Sequence, residues 1–473
     1  MNQMNRREFL FSTGAVTLLS SACLAEVLGD PELRLGVISD IHLTTPKSCR
    51  LFEKSLRIFK RRGVDAVLIA GDLTDWGLRS GFAYTKATWD RVFAGTKVVP
   101  LFCSGNHDYL GFAYGDMTLE MHANGYSEDD ACVRNGGVDA CWQEAFGEPF
   151  AGVRRRTVKG YDFISGEWEG NDLEKWMETN GGSLPKDKPF FYFQHAPIAG
   201  TTSDSSQKEG GDKIHKALSA FPNCIAFTGH THRPFIDERS IWQGEFTTIA
   251  IPSLSYADSP AGYENGNGQR YGSPKQAMMQ PPWRRDLRGG QGYFVNVWKD
   301  RVVVERYDME EDESDALDWV IPLSAERPFD NARRAPLEPV PAFPANAALD
   351  IETRNTENRS GSWMIVLNCE FPSAVVPKGH RVYDYEIVAR PLDGSTPLVK
   401  KFVSPAYAQM AKYEPKIQRF WFDAAELPQD KDYRIEVRAR NCFGRESAPL
   451  VSEVRHGCPG LQRVAPAKTN KKD

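Results

Sequence analysis

The stretch "CSGNHDY" (residues 103–109) places Asn106, His107 and Asp108 in a row directly after a glycine. The preceding residues, "TKVVPLF" (96–102), have the apolar character of a short buried strand. In α/β sheets, ligands bind outside the carboxyl ends of the strands. The stretch therefore predicts a strand that ends at a functional site.

The same pattern recurs along the first two thirds of the chain, where apolar runs alternate with helical stretches. The predicted strands are 32–40, 65–72, 188–195 and 223–232, the predicted helices are 50–63 and 82–95, and a closing hairpin covers 293–307. Alternating strands and helices predict a central sheet with helices on its faces. The strands are continuously apolar, which is typical of a sheet that is buried on both sides.

Each of these strands ends in residues that are common metal ligands. In chain order they are Asp40 and His42, then Asp72, then Asn106 with His107 and Asp108, then His195, then His230 and His232. Imidazoles combined with carboxylates and an amide oxygen suit divalent transition metals such as Mn, Fe, Co or Zn. The set is too large for one ion, but one shared carboxylate would allow two ions about 3.5–4 Å apart, with a bridging hydroxide that attacks a phosphoryl group.

The motifs D-x-H, G-D, G-N-H-D, a single H and G-H-x-H, in this order, resemble the signature of the calcineurin-like metallophosphoesterases. The resemblance spans residues 33–307 and implies a four-layer α/β sandwich of sheets flanked by helices. It also implies two metal ions, with Asp72 as the bridge. The residues that the resemblance assigns to one ion are Asp40, His42, Asp72 and His232, and those for the other are Asp72, Asn106, His195 and His230.

The resemblance further implies that His107 contacts the phosphoryl group and helps the leaving group depart, while Asp108 orients His107. Within the family, purple acid phosphatases lack the first histidine and carry a metal-binding tyrosine after G-D. This sequence has His42 and "GDLTDWG" (71–77), without a tyrosine. It is more similar to the cyclic-nucleotide and glycerophosphodiester phosphodiesterase branch, although that branch often has His-His-Pro where this chain has "QHAP" (194–197).

The composition is that of a soluble globular protein, with 41% hydrophobic and 26% charged residues among 473. The formal net charge of −5 provides no basic surface for nucleic acid. No apolar run approaches the roughly 20 residues needed to span a bilayer. We therefore expect no binding to nucleic acid, and the resemblance implies a phosphate-ester substrate, either a small molecule or a lipid head group.

The N-terminal segment "MNRREFLFSTGAVTLLSSACLAE" (4–26) resembles a bacterial twin-arginine export signal, with Arg6 and Arg7 as the paired arginines. The predicted location is extracytoplasmic, in the periplasm or cell envelope. Cys23 either carries a lipid that attaches the protein to the membrane, or the signal is cleaved near Ala22 or Ala25. Eight cysteines then remain, an even number compatible with disulfides.

The pattern changes near residue 346 to strands without helices. The run "YRIEVRARN" (433–441), followed by Gly444 and by Glu446 and Ser447, resembles the last strands of a fibronectin type III domain. The predicted organisation is a signal peptide (1–30), a metallophosphoesterase domain (31–310), an acidic and Pro-rich linker (311–345), a β-sandwich (346–457) and a disordered tail (458–473).

Two Gly-rich stretches, 109–160 and 255–292, predict long loops. We expect Trp76, Tyr109 and the arginines of 154–156 and 283–288 at the mouth of the site, because arginine binds phosphate well. For each of them, a solvent-exposed loop position is the alternative.

The leading hypothesis is an exported dinuclear metal-dependent phosphoesterase that hydrolyses a phosphate mono- or diester. The alternative is a binding or scaffold protein of the cell envelope that keeps the fold and uses the β-sandwich for adhesion. The sequence leaves open the substrate, the identity of the metals, the oligomeric state and the role of the C-terminal domain.

Overall fold

The computed structural model describes residues 29–44, 46–110, 128–202, 211–258, 262–264, 289–357, 363–408 and 410–457. The predicted signal peptide, including Cys23, lies outside the described residues, as does the predicted tail. Among the residues described, no helix combines the length and the apolar character needed to cross a membrane.

The first sheet has seven strands in the spatial order β12-β11-β10-β1-β2-β3, with β13 also paired to β11. Strands β1, β2 and β3 are parallel, whereas β10 and β11 form an antiparallel hairpin beside β1. The bounds are β1 Leu33–Ile38, β2 Ala66–Ala70, β3 Val99–Cys103, β10 Gln291–Val297, β11 Arg301–Asp308, β12 Glu313–Ser314 and β13 Trp319–Pro322.

The second sheet has six strands in the order β4-β5-β6-β7-β9-β8. Its central strands β5, β6, β7 and β9 are parallel, and β4 and β8 are antiparallel edges. The bounds are β4 Arg154–Val158, β5 Tyr161–Ser165, β6 Phe190–Gln194, β7 Cys224–Thr228, β8 Ile241–Gln243 and β9 Thr247–Ala250. The single central sheet that the alternation predicts is thus two sheets, as the family resemblance implies.

The two sheets face each other, and helices cover their outer faces. The helices are α1 Pro46–Arg61, α2 Arg79–Phe93, α3 Asn106–Leu110, α4 Val138–Phe146, α5 Leu173–Asn180, α6 Gly211–Ser219, α7 Asn331–Arg334 and α8 Pro405–Ala408. Short 3₁₀ turns are found at Glu128–Asp130, Cys132–Arg134, Gly181–Ser183, Glu238–Ser240, Ala411–Tyr413 and Ala424–Glu426.

The period of two along the strands explains this layering, since alternate side chains point to opposite faces. In β2, Leu68 lies in the core between the sheets, while Val67 and Ile69 pack under α1 and α2. In β6, Phe191 faces the other sheet, and Tyr192 packs under α5 and α6. Both faces of each sheet are therefore buried, which accounts for the continuous apolar runs.

The C-terminal region is all-β and antiparallel. Three strands form one sheet in the order β14-β15-β18, and four form the other in the order β17-β16-β19-β20. The bounds are β14 Asp350–Glu357, β15 Trp363–Pro372, β16 Asp384–Pro391, β17 Leu398–Val403, β18 Ile417–Asp423, β19 Asp432–Arg440 and β20 Leu450–His456. A core that includes Phe371, Tyr385 and Ile435 fills the space between the sheets; we call this two-sheet unit the sandwich.

Two stretches are more ordered than their composition predicts. The segment 311–345, predicted as a linker, begins with β12 and β13, which pair with β11 and bury Trp319. The predicted loop 109–160 contains α4 and β4 in its described part. The seven cysteines among the described residues are all free thiols.

Substitution of Gly36 tests the packing of α1 on the first sheet. A Cβ at Gly36 would lie 2.5 Å from the ring of Phe59, which is fully buried. We expect Gly36→Ala to destabilise the protein by about 1–3 kcal/mol through overpacking, and so to lower the midpoint of thermal unfolding. Gly182→Ala is the control, because an exposed Cβ there has no neighbour within 4 Å; equal midpoints for the two variants would contradict the prediction.

Candidate metal centre

The predicted ligands lie on loops that leave the strands of both sheets. Asp40 and His42 follow β1, Asp72 follows β2, and Asn106 follows β3, all from the first sheet. His195 directly follows β6, and His230 and His232 follow β7, all from the second sheet. The sheets are joined at this edge by Ser39, which bridges in parallel to Ser253 after β9. The residues therefore meet between two sheets rather than at the edge of one.

An unusual backbone conformation marks these loops. Seven described residues other than glycine have a positive φ, and five of them are Asp40, His42, Asp72, His230 and His232, with φ between 47° and 71°. The left-handed region is unfavourable for residues with a Cβ, and such conformations concentrate at functional sites. The chain thus adopts this conformation at the positions where the motifs predict ligands.

The first predicted ligand set forms one buried cluster. The ligand atoms of Asp40, His42, Asp72 and His232 all lie within 4.8 Å of one another. His232 Nε2 lies 2.9 Å from Asp40 Oδ1, and His42 Nε2 lies 3.6 Å from Asp72 Oδ2. The four residues are at most 5% exposed.

The second predicted set is brought together as two pairs around the first. His195 Nε2 lies 3.2 Å from Asp72 Oδ2, and His230 Nδ1 lies 3.2 Å from Asn106 Oδ1. The rings of His195 and His230 are 5.3 Å apart between centroids. Asp72 is thus the carboxylate that neighbours both sets.

The outer nitrogens of three histidines are held by acceptors, which leaves their Nε2 atoms to face the cluster. His42 Nδ1 lies 2.7 Å from Asp75 Oδ1, His195 Nδ1 lies 2.6 Å from the carbonyl of Ala70, and His232 Nδ1 lies 2.9 Å from that of Tyr256. Such partners fix the tautomer and the orientation of metal-binding histidines.

The chemistry of this donor set fits a metal. His195 Nε2 is buried and makes no hydrogen bond, although Asp72 Oδ2 is near it. Three carboxylates, those of Asp40, Asp72 and Asp75, are buried within the same cluster. Buried anions require compensating positive charge, and a divalent cation would supply it.

The pKa shifts reflect this excess of negative charge. Burial opposes ionisation of Asp40 and Asp72, yet nearby histidines hold the pKa of each carboxyl below its ordinary value. Burial would lower the pKa of His195, but Asp72 and Asp40 raise it to about 9. Burial dominates at His42 and lowers its pKa to about 4.

Glycines of three motifs allow this close approach. A Cβ at Gly71 would overlap the ring of His195, one at Gly105 would overlap Asp72, and one at Gly229 would overlap Ser39. Each glycine thus makes room for a residue from another loop, and Gly71 also has a φ of 89°.

His107 lies at the edge of the cluster and is partly exposed. Its backbone N–H donates to Asp72 Oδ1 at 2.9 Å, and its ring lies edge-on to His42 with 4.6 Å between centroids. Its Nδ1 is 2.8 Å from the carbonyl oxygen of Asp75. This placement is compatible with the predicted contact to a substrate.

Asp108, which the resemblance assigns to the orientation of His107, joins two segments of the site. Its carboxylate accepts from the N–H groups of Leu73, Thr74 and Gly105 at 2.8–3.2 Å and is fully buried. It therefore ties the loop after β2 to the start of α3. Burial, with the nearby charge of Asp72, raises the pKa of Asp108 to about 7.

Asp75 contacts both His42 and His107, and the motifs did not identify it. Its side chain holds His42, and its carbonyl oxygen holds His107. Two aromatic residues were also missed. The ring of Tyr256 lies 4.1 Å from that of His232, and the ring of Trp168 lies 4.9 Å from that of His230. Apart from the position of Asp75 three residues after Asp72, the sequence carries no signal for them.

Most of the residues predicted at the mouth have other positions. Trp76 is 1% exposed, whereas Tyr109 is 39% exposed, with its hydroxyl 3.3 Å from Glu167. The arginines of 154–156 lie on β4, where they bind carbonyl oxygens of β3 and pair with Glu148 and Asp162. The arginines of 283–288 lie outside the described residues.

Replacement of Asp75 tests its role as the outer partner of His42. We expect Asp75→Asn to weaken metal binding about 10–100-fold, as is usual for such outer partners, because the amide no longer stabilises the required orientation and charge of His42. The measurement is metal affinity by competition with a chelator. Asp65→Asn, at a partly exposed pair with Lys159, is the control; wild-type affinity in Asp75→Asn would contradict the prediction.

The profile of the family "Calcineurin-like phosphoesterase" matches residues 33–234. No curated protein sequence matches the chain. Among solved structures, 65 chains match.

Three of these structures illustrate the extent of the similarity. A dimetal phosphatase from Danio rerio is 11% identical with a TM-score of 0.39, over 62% of this chain and 100% of that one. A purple acid phosphatase from yellow lupin (Lupinus luteus) is 12% identical with a TM-score of 0.36, over 61% and 53%. A predicted phosphoesterase from Streptococcus pneumoniae is 12% identical with a TM-score of 0.29, over 61% and 97%. The profile match covers less than half of the chain and includes Asp40, His42, Asp72 and His232, so this part of the chain is similar to the calcineurin-like metallophosphoesterases.

Proposed function

We propose that this protein is an exported dinuclear metal-dependent phosphoesterase. One observation carries the proposal: the Nε2 atoms of three histidines converge on the buried carboxylates of Asp40 and Asp72. The Nδ1 atom of each of these histidines lies within hydrogen-bond distance of an acceptor on its outer side. A fold kept only as a scaffold would gain nothing from burying these groups together, because uncompensated buried carboxylates destabilise a protein.

Two divalent ions would be held as the ligand pattern assigns them. One would bind Asp40, His42, Asp72 and His232, and the other Asp72, Asn106, His195 and His230. When bound, such a pair polarises the phosphoryl oxygens and lowers the pKa of water, so that a phosphate ester becomes open to in-line attack. The mixed imidazole and carboxylate set suits Mn, Fe, Co or Zn.

The protein's own residues would orient the substrate and move protons. His107 is placed to donate a proton to the departing oxygen, since Asp75 fixes its ring at the partly exposed edge of the cluster. Asp108 would act indirectly, because it keeps the loop of Asp72 and the loop of His107 in register.

We infer a phosphodiester as the substrate class, in line with the diesterase branch that His42 and the absence of a tyrosine after Asp72 favour. The rings of Trp168 and Tyr256 pack on histidines from the two ligand sets, and both are only partly buried. They offer aromatic surface next to the reacting group. A screen of phosphate monoesters and diesters, with Mn, Fe, Co, Ni or Zn restored to chelated protein, distinguishes the two classes.

We also propose that the sandwich is a fibronectin type III-like domain. Support comes from its division into three and four antiparallel strands and from the period of two along β19. Strands β14, β15 and β18 form one sheet, and β16, β17, β19 and β20 form the other. This division is typical of seven-stranded sandwiches with two facing sheets.

Metal content tests the central proposal. Protein purified without chelator and supplied with metal is expected to hold about two ions per chain. Asp72→Ala should lose metal and activity together, because Asp72 serves both ligand sets. His107→Ala should keep its metal and lose activity on the order of 10²–10⁴-fold, since it contributes only proton transfer. Wild-type protein without bound metal, or Asp72→Ala with full metal content, would refute the dinuclear site.

Export tests the N-terminal proposal. Twin-arginine signals are used to export folded proteins. By affinity alone, a site of histidines and carboxylates favours Cu and Zn over Mn and Fe. If the protein binds its metal before export, the ions available in the cytoplasm decide which metal occupies the site. We expect Arg6→Lys with Arg7→Lys to leave full-length, active precursor in the cytoplasm. Fractionation and activity assays provide the measurement, with Lys47→Arg as a control. Normal export of the double variant would show that another route is used and would leave the phosphoesterase proposal intact.

A further inference from the structure

The loop that carries His230 and His232 continues onto the sandwich. Five residues after His232, the fully buried carboxylate of Asp237 accepts hydrogen bonds from the guanidinium of Arg239 at 2.6 and 2.9 Å. The hydroxyl of Tyr407, in α8 of the sandwich, donates to the same carboxylate at 3.3 Å. The guanidinium of Arg239 in turn lies 4.7 Å from the ring centre of Tyr383, also in the sandwich.

Apolar contacts reinforce this attachment. Phe235 and Ile236, from the same loop, lie in the core between the first two sheets, and that cluster also contains Tyr383, Val403 and Tyr407. One hydrophobic core therefore extends from the metallophosphoesterase sheets into the sandwich. A domain that served only as a spacer would not share a core with its neighbour.

The segment that follows β9, residues 251–258, also holds His232. It carries Tyr256, whose carbonyl oxygen accepts from His232 Nδ1 at 2.9 Å. Asp258 N donates to the carbonyl oxygen of His232 at 2.9 Å, so the segment holds both the ring and the backbone of this residue. Tyr256 also packs its ring on that of His232.

Later in the chain, within the short described segment 262–264, Tyr263 and Glu264 contact the sandwich. The hydroxyl of Tyr263 donates to Asp384 Oδ2 at 2.5 Å, and the N–H of Glu264 donates to the carbonyl oxygen of Lys401 at 2.8 Å. Asp384 begins β16, and the guanidinium of Arg440 on β19 holds it through two hydrogen bonds of 2.7 and 2.8 Å. The acceptor for Tyr263 is thus fixed by the sandwich.

Both segments hold His232. The first carries this residue in its own chain, and the second contacts its ring and its carbonyl oxygen. We propose that the sandwich is a positioning module for the metal centre, in which Tyr407 and Tyr263 are positioning residues for His232. The inference rests on the proposed function, because it assumes that His232 binds a metal ion. It gives the C-terminal domain a role in metal binding instead of adhesion or spacing.

The test is a full-length double variant, Tyr263→Phe with Tyr407→Phe, which removes two hydroxyls and keeps both rings. The matched control is Tyr385→Phe with Tyr433→Phe, because these tyrosines are buried in the separate core of the sandwich. The measurements are the affinities of the two sites for Mn²⁺ in chelator-buffered titrations, kcat at limiting and saturating Mn²⁺, and the midpoint of thermal unfolding.

We expect the double variant to bind one of the two ions about 10-fold or more weakly, as is typical when an outer partner of a ligand is disturbed, and the other ion normally. Saturating Mn²⁺ should restore kcat, because the site is only weakened. If the variant had instead lost folded protein, kcat would stay low at saturating Mn²⁺. Equal weakening of both ions, or a change no larger than in the control, would overturn the inference. Wild-type protein that binds no Mn²⁺ or other divalent ion would instead refute the proposed function on which it rests.

Discussion

The burial of Asp40 and Asp72 beside each other is the constraint on which the rest of the site depends. Two carboxylates that are at most 1% exposed repel one another and lack water, so each needs positive charge close by. His195 and His232 supply part of it, which is why their pKa values rise while those of the carboxyls fall. A divalent cation at the cluster would meet the same need, and the loops that form the cluster come from both sheets.

The sequence predicted residues that the fold brings together, such as Asp40, His42, Asp72 and His232, because their signal is local. A polar residue beside a glycine at the end of an apolar strand is visible in a few letters, and the order of such blocks identifies the family. The outer partners are different. Asp75 meets His42 across 33 positions in the chain, and Asp108 meets Thr74 across 34. Nothing near either aspartate in sequence indicates which partner it has, so Asp75 was missed and the bonds of Asp108 to the loop after β2 were not foreseen.

Composition is a poor guide to structure in segments where a few residues determine how the chain packs. The segment 311–345 is acidic and rich in proline, yet Trp319 and Ile321 are enough to add β13 to the first sheet. The arginines of 154–156 resemble a phosphate-binding cluster, but Arg154 and Arg156 donate to carbonyl oxygens of β3. Charge in a sequence shows that a partner is needed; it does not show whether that partner is a substrate, a carboxylate or the backbone.

The strained backbone of the site gives a reason for the many contacts that surround its loops. Five ligand residues adopt a left-handed conformation that is unfavourable by about 1 kcal/mol or more each, and the sum is comparable to the net stability of a domain. Such strain persists only where surrounding contacts leave the chain no alternative. The glycines, the carboxylate of Asp108 and the loops on the sandwich all restrict the same segments. The extended core and the contacts of Tyr263 and Tyr407 therefore have a physical reason, because a ligand held against its backbone preference needs support from more than its own sheet.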